Sequence, residues 1–144
     1  ALQPTFADYA AQIVANARSL ASTLQNRNIR IVSGGTDTHL VLLDLSNNGL
    51  TGKRAEIALD KVNITSNKNA VPNDSPRPQD WVGLRLGVGA ATTRGLVETD
   101  FAELGNIIAD VIEAEAIGDL DNVIVDAQKR VARMCINYPI YTGD

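Results

Sequence analysis

A chain of 144 residues fits one domain, or one domain with a long terminal helix, and 44% apolar residues are enough to build a core. Aromatics make up only 4%, so that core must rest on Ala, Val, Ile and Leu. A formal net charge of -4 argues against a nucleic-acid surface, which needs clustered Lys and Arg, and no apolar run approaches the roughly 20 residues of a membrane span.

The chain opens on Ala1 rather than Met, with no charged segment leading into an apolar one. A helix begins almost at once, so the start reads as that of a fragment, although removal of an initiator Met leaves the same start. Phe6, Tyr9, Ala10, Ile13, Val14, Ala17, Leu20, Ala21 and Leu24 recur at helical spacing. Pro4 and Thr5 mark the entry, with Asp8 three residues on, close to a capping box. Asn26 to Asn28 end this helix. Two strand-like runs follow, Ile29 to Ser33 and Leu40 to Leu45, joined by Gly34-Gly35-Thr36-Asp37 as a tight connection. They read as an antiparallel hairpin or as two adjacent strands.

A polar turn at Asn47-Asn48-Gly49 leads to Thr51 and Gly52, which open a helix with apolar positions Ala55, Ile57, Ala58 and Val62. Ile64 to Ser66 reads as a short strand. Asn67 to Val82 holds Pro72, Pro76 and Pro78 and reads as irregular; loops of this length are usually functional or disordered. Leu84, Leu86 and Val88 suggest a strand closing at Gly89. Two helices finish the chain, one carrying Phe101, Leu104, Ile107, Ile108, Val111 and Ile112 after Thr99 and Asp100. The other follows Gly118, carries Leu120, Val123, Ile124, Ala127, Val131 and Met134, and ends before Pro139. The single cysteine, Cys135, excludes an internal disulfide, suits a reducing cytoplasm, and reads as buried filler in that last stripe. The predicted fold class is α+β, with helices packed on a small antiparallel-type sheet.

His39 is the only histidine and has one distant cysteine, which argues against a zinc or iron site. Asp37 stands two residues before it, but no GxSxG elbow supplies a nucleophile, so His39 reads as a structural hydrogen-bonding residue at a strand entry. Gly83, Gly87 and Gly89 fit no nucleotide-binding spacing. Arg85 between them is either a bidentate carboxylate ligand or one half of a surface ion pair. Arg94 reads as structural, holding its turn. Lys68 reads as solvated. Asn69, Asn73 and Asp74 are either turn formers or hydrogen-bonding partners for a planar heterocycle; spacing does not decide.

Four stretches in order resemble serine hydroxymethyltransferases: Ile31 to Leu45 (IVSGGTDTHLVLLDL), Leu50 to Glu56 (LTGKRAE), Asn67 to Asp74 (NKNAVPND), and Gly83 to Gly87 (GLRLG) with Ala90 to Gly95 (AATTRG). The match spans roughly residues 5 to 115; the helix from Leu120 to Asn137 is less diagnostic. The resemblance implies the C-terminal small domain of a fold type I enzyme dependent on pyridoxal 5'-phosphate. It covers residues 1–144, with a long helix within 1–26 and C-terminal helices within 98–137. Such an enzyme moves a hydroxymethyl group between serine and glycine with tetrahydrofolate as carrier, in the cytoplasm, as a homodimer or larger homo-oligomer. The Schiff-base lysine, the phosphate site and the ring-stacking residues of the family belong to a large domain not seen in this chain, which is therefore expected to be inactive alone. The alternative is a non-catalytic binding or assembly module that retains the fold.

By the same resemblance Arg85 matches the arginine that binds the amino-acid carboxylate. Asn69 matches the asparagine near the folate pterin, and Arg77, Pro78 and Gln79 fall where folate contacts the backbone. The chain departs from the family at Gln79-Asp80-Trp81-Val82-Gly83, where Phe-Val-Thr-Ser-Gly is usual, and at Val88 and Gly89, where Thr-Pro is usual. An aromatic contact to folate is thereby lost at Gln79, and the wall beside the carboxylate is altered. The expectation is a variant specificity, such as 2-methylserine or a related β-hydroxy amino acid.

Overall fold

The computed structural model describes residues 6–32 and 38–137, the side chains of Phe6 and Asn137 excepted. Thr5, the connection Gly34 to Asp37, and Pro139 lie outside the described residues. The order is α1 (Phe6–Asn26), β1 (Arg30–Ile31), β2 (Leu40–Asp44), α2 (Gly52–Asp60), β3 (Asn67–Asn69), β4 (Gly83–Gly87), α3 (Gly89–Thr93), α4 (Glu98–Ala116) and α5 (Leu120–Asn137). The four strands form one antiparallel sheet in the order β1-β2-β4-β3.

Side chains alternate across a strand, so the register sorts the sheet into two faces. Val41, Leu43, Leu84 and Leu86 point inward and are buried. Helices α1 and α2 pack on that side, α4 packs against both, and α5 packs on α4. Phe101, Ile107, Ile108, Val111 and Ile112 give α4 its wide buried face. This is an α+β domain, as expected, and the two strand-like runs pair antiparallel, with Arg30 opposite Asp44 and Ile31 opposite Leu43.

Helix entries follow their sequence signals. Thr51 caps α2, its hydroxyl accepting from Arg54 N at 3.2 Å. Asp100 reaches back from α4 to accept from Val97 N at 2.9 Å.

Four expectations need correction. Ile64 to Ser66 is not a strand: Ile64 and Ser66 are buried around an exposed Thr65, but no ladder forms there. The strand is Asn67–Asn69, inside the stretch expected to be irregular. Three polar residues carry no apolar alternation, and backbone pairing with β4 alone makes them a strand. Ile57 is 48% exposed, because the buried side of α2 is Ala55, Ala58 and Leu59, continued by Val62. Cys135 is exposed rather than buried, since only Leu120, Ala127 and Val131 of α5 reach the core fully.

Candidate functional site

The outer face of the sheet carries Leu40, Leu42, Gly87, Arg85, Gly83, Asn67 and Asn69, and toward the β1 edge Asp44, which is buried and pairs with Arg30 at 3.2 Å. Arg85 lies in the middle of β4, opposite Leu42 on β2 and opposite Asn67 on β3. Gly83 and Gly87 are its neighbours along the strand on the same face, so no side chain flanks it in that direction. Leu40 and Leu42 are half-buried, which gives the arginine an apolar floor on one side. The Arg85 side chain is exposed, and among the described residues no hydrogen bond or ion pair engages it. A guanidinium in this setting presents its planar fork to whatever approaches the sheet.

Asn69 lies opposite Gly83, one diagonal step from Arg85 at about 7–8 Å on the same face. It ends β3, and its Nδ2 donates to Ala70 O at 2.9 Å, a local backbone contact at the start of the loop. Close backbone approach fixes this end of the sheet. A Cβ on Gly83 would meet Asn69 O at 2.3 Å, and a Cβ on Gly52 would meet Gly83 O at 2.1 Å. The start of α2, the start of β4 and the end of β3 therefore stack with no room for side chains.

The connection from Asn69 to Gly83 is ordered around one carboxylate. Asp74 Oδ2 accepts from Val71 N at 3.1 Å and Val82 N at 3.0 Å, and its Oδ1 accepts from Ser75 N at 2.8 Å. Burial pushes this carboxyl upward, but the three backbone N–H donors outweigh it and hold it below the usual carboxylate range. Asn73 takes the left-handed conformation with φ 65°, as a turn-forming asparagine does. The Trp81 indole donates to Ser75 O at 3.0 Å, while Gly52 N donates to Trp81 O at 2.8 Å and Leu45 N to Val82 O at 2.9 Å. Arg77, Pro78 and Gln79 are exposed at the tip, where Pro78–Asp80 forms a 3-10 turn and Arg77 Nε stands 3.5 Å from Asp80 Oδ2. The sheet thus brings Arg85 and Asn69 together on one face, and the loop holds Arg77 to Gln79 beyond the Asn69–Gly83 end.

The remaining candidates stand elsewhere. His39 is exposed and its carbonyl accepts from Val88 N at 3.0 Å; its imidazole makes no hydrogen bond among the described residues, against the expectation for it. Asp37 lies outside the described residues. Lys68 is half-buried rather than solvated, and its backbone N donates to Glu56 Oε2 at 2.7 Å. Among the described residues no group of three or more His, Cys, Asp or Glu is placed to hold a metal, and no helix is long and apolar enough to cross a membrane.

Sequence reasoning passed over Asn16, fully buried on α1, and Asp110, a shared partner of Arg27 and Arg130. Asn16 did leave a signal. It sits on the apolar stripe of α1, three residues after Ile13 and four before Leu20.

An antiparallel sheet with helices on one face, and on the other an arginine unengaged among the described residues, defines an α+β domain. The serine hydroxymethyltransferase family model matches residues 1–108, and the chain belongs to that family. It is 60% identical over 141 residues to a 2-methylserine hydroxymethyltransferase of Aminobacter sp, covering 98% of this chain and 33% of that protein. A protein of the same name from Paracoccus sp is 59% identical over the same shares. The serine hydroxymethyltransferase of Prochlorococcus marinus (strain AS9601) is 50% identical over 99% of this chain and 33% of its own length. The chain spans about a third of the length of the curated relatives it matches.

Proposed function

We propose that this chain is the C-terminal small domain of a complete hydroxymethyltransferase that acts on 2-methylserine or serine, with tetrahydrofolate carrying the one-carbon unit. The observation that supports this best is Arg85, exposed and unengaged among the described residues on the sheet face away from the helices. Its guanidinium would bind the amino-acid carboxylate through two parallel N–H donors, a geometry that orients as well as attracts. Asn69, whose amide keeps its carbonyl oxygen and the second N–H beside the bond to Ala70 O, would hold the folate heterocycle, and the Asp74-braced loop would bring the backbone of Arg77, Pro78 and Gln79 to the same ligand. The higher identity to 2-methylserine enzymes and the changed Gln79 to Gly83 segment both favour 2-methylserine over serine.

Pyridoxal phosphate would supply the electron sink for the reaction. The described residues do not fit that cofactor by themselves. The cleft between α4 and α5 carries Asp110, Glu113, Asp119 and Asp126 against one Arg130 that already pairs with Asp110, a balance that repels a phosphate, and the recess beside α2 carries Glu56 and Asp60. Neither is lined by a lysine. On this reading the cofactor sits in a large domain of the same polypeptide, and the open sheet face with Leu40, Leu42 and Arg85 turns toward it. The complete protein would work in the cytoplasm as a homo-oligomer.

Intact-mass analysis of the protein after borohydride reduction tests the reading. A chain about three times longer carrying a reduced pyridoxyl adduct supports it; an unmodified species of 15.4 kDa overturns it. Hydroxymethyl exchange on 2-methylserine and on serine then tests the substrate, and a clear preference for serine overturns the 2-methylserine assignment.

A further inference from the structure

The corner where β4 ends is held from outside its own segment. Helix α3 has five residues and no side-chain cap at its start, too short to be stable alone. Two residues of α1 brace it: the Tyr9 hydroxyl lies 2.6 Å from Thr93 Oγ1 at the surface, and Asn16, 0% exposed, reaches it from the core. Its Nδ2 donates to Thr92 Oγ1 at 2.9 Å and to Leu96 O at 2.9 Å, gripping α3 and the turn after it. Its Oδ1 accepts from Gln12 Nε2 at 2.8 Å, so the orientation of the amide is fixed as well. Thr92 passes the contact on: its hydroxyl donates to Val88 O at 2.7 Å, beside the ordinary Thr92 N to Val88 O bond of 3.0 Å. Val88 N in turn donates to His39 O at 3.0 Å, extending the β2–β4 ladder one step past Gly87.

We propose that Asn16 is a positioning residue for Arg85, acting through Thr92 and Val88, and this rests on Arg85 being the carboxylate arginine. Val88 is three residues from Arg85, about 10 Å away, just past the end of β4; β2 pairs with β4 along this whole stretch, while β3 pairs with it only from Gly83 to Arg85. A paired strand moves as a unit, so a shift or tilt at Val88 reaches the arginine. Apolar side chains of similar size would fill the space around Asn16 and Thr92 without any need for partners. The amide instead costs desolvation that its bonds must offset, and what it adds is a fixed direction and distance. A carboxylate held bidentately is sensitive to such displacements.

The test is steady-state kinetics in the complete polypeptide, varying the amino acid and folate separately. Asn16→Leu and Thr92→Val should each raise the amino-acid KM about tenfold, with kcat within about twofold and the folate KM unchanged. The double variant should add little to either single one, because both cut the same path. Thr92→Ser, which keeps the hydroxyl, should restore the KM. Ser19→Ala is the control: it removes the 2.7 Å bond to Glu98 O between α1 and α4, and should lower Tm without moving KM. An unchanged KM in Thr92→Val overturns the proposal, as does an equal rise in Ser19→Ala, which would mean general loosening. Should Asn16→Leu fail to fold, Thr92→Val and its rescue decide alone. Arg85→Lys separates the two readings. If it leaves KM unchanged, the carboxylate assignment falls and the positioning role with it; if it raises KM while Thr92→Val does not, only the positioning role falls.

Discussion

Arg27 closes on Asp110 at 2.6 Å, joining the residue just past α1 to the middle of α4. Arg130 of α5 reaches the other oxygen of the same carboxylate, also at 2.6 Å, and Arg27 further contacts Glu113 at 2.9 Å while Arg130 contacts Glu103 at 3.0 Å. One carboxylate therefore ties three helices together. Asp110→Ala should destabilise the chain by about 1–2 kcal/mol once the screening of a partly exposed site is allowed for. At this size that lowers Tm by about 2–4 °C per kcal/mol in a thermal melt. Glu113→Ala, at a half-exposed carboxylate with one partner, should stay within about 0.5 kcal/mol. Equal losses from the two would show that the shared position of Asp110 carries no extra weight.

The same carboxylate sets a pH dependence. Burial raises the Asp110 carboxyl, but hydrogen bonds and charge from Arg27 and Arg130 outweigh it and leave it below its ordinary value of 3.8. A carboxyl depressed in the folded state contributes stability that is present above the unfolded value and lost as pH falls through the folded one. Asp74 behaves likewise, through backbone donors instead of guanidinium groups. Thermal melts should thus fall steeply below about pH 4. Asp110→Asn should be less stable at neutral pH and show a shallower acid slope; an unchanged slope would show that Asp110 is not a source of it.

Removing the Asp74 carboxylate should unhook the loop rather than the domain. Asp74→Ala strands the Val71 and Val82 N–H groups, for a loss of about 1–3 kcal/mol. Amide hydrogen exchange should accelerate at Val71, Ser75 and Val82, while Leu43 and Ile108 in the core keep their protection. Uniform acceleration over the core would contradict the view of Asp74 as a local brace.

Much of the fold was legible because α1, α4 and α5 are long and strongly periodic, and the runs that hold β1 and β2 are rich in β-branched and leucyl residues. What escaped had no side-chain pattern to read. β3 is Asn-Lys-Asn and exists through backbone bonds to β4; α3 is braced by Tyr9 and Asn16 from another helix. Ile57 and Cys135 were placed inside because they are apolar, though each lies where its helix has no neighbour to cover it. For the site, the residues alone left Arg85 between a ligand and a surface ion pair. Only the resemblance to the family, and no local pattern, points to the ligand. Asp74 was readable as a turn former because Asp bonds local backbone, whereas the reach of Asp110 to two arginines more than 19 residues away in sequence has no local signature.

Cys135 gives a direct check of the corrected α5 face. A thiol in the core reacts only when the protein opens, so its labelling rate follows global stability. An exposed thiol reacts in the folded state. Labelling of this chain with a maleimide at neutral pH should therefore proceed at a rate close to that in denaturant, and Asp110→Ala should leave that rate unchanged although it lowers Tm. Protection of Cys135 by a factor of about 100 or more, relieved by Asp110→Ala, would mean that the thiol is buried and that opening of the fold limits its reaction.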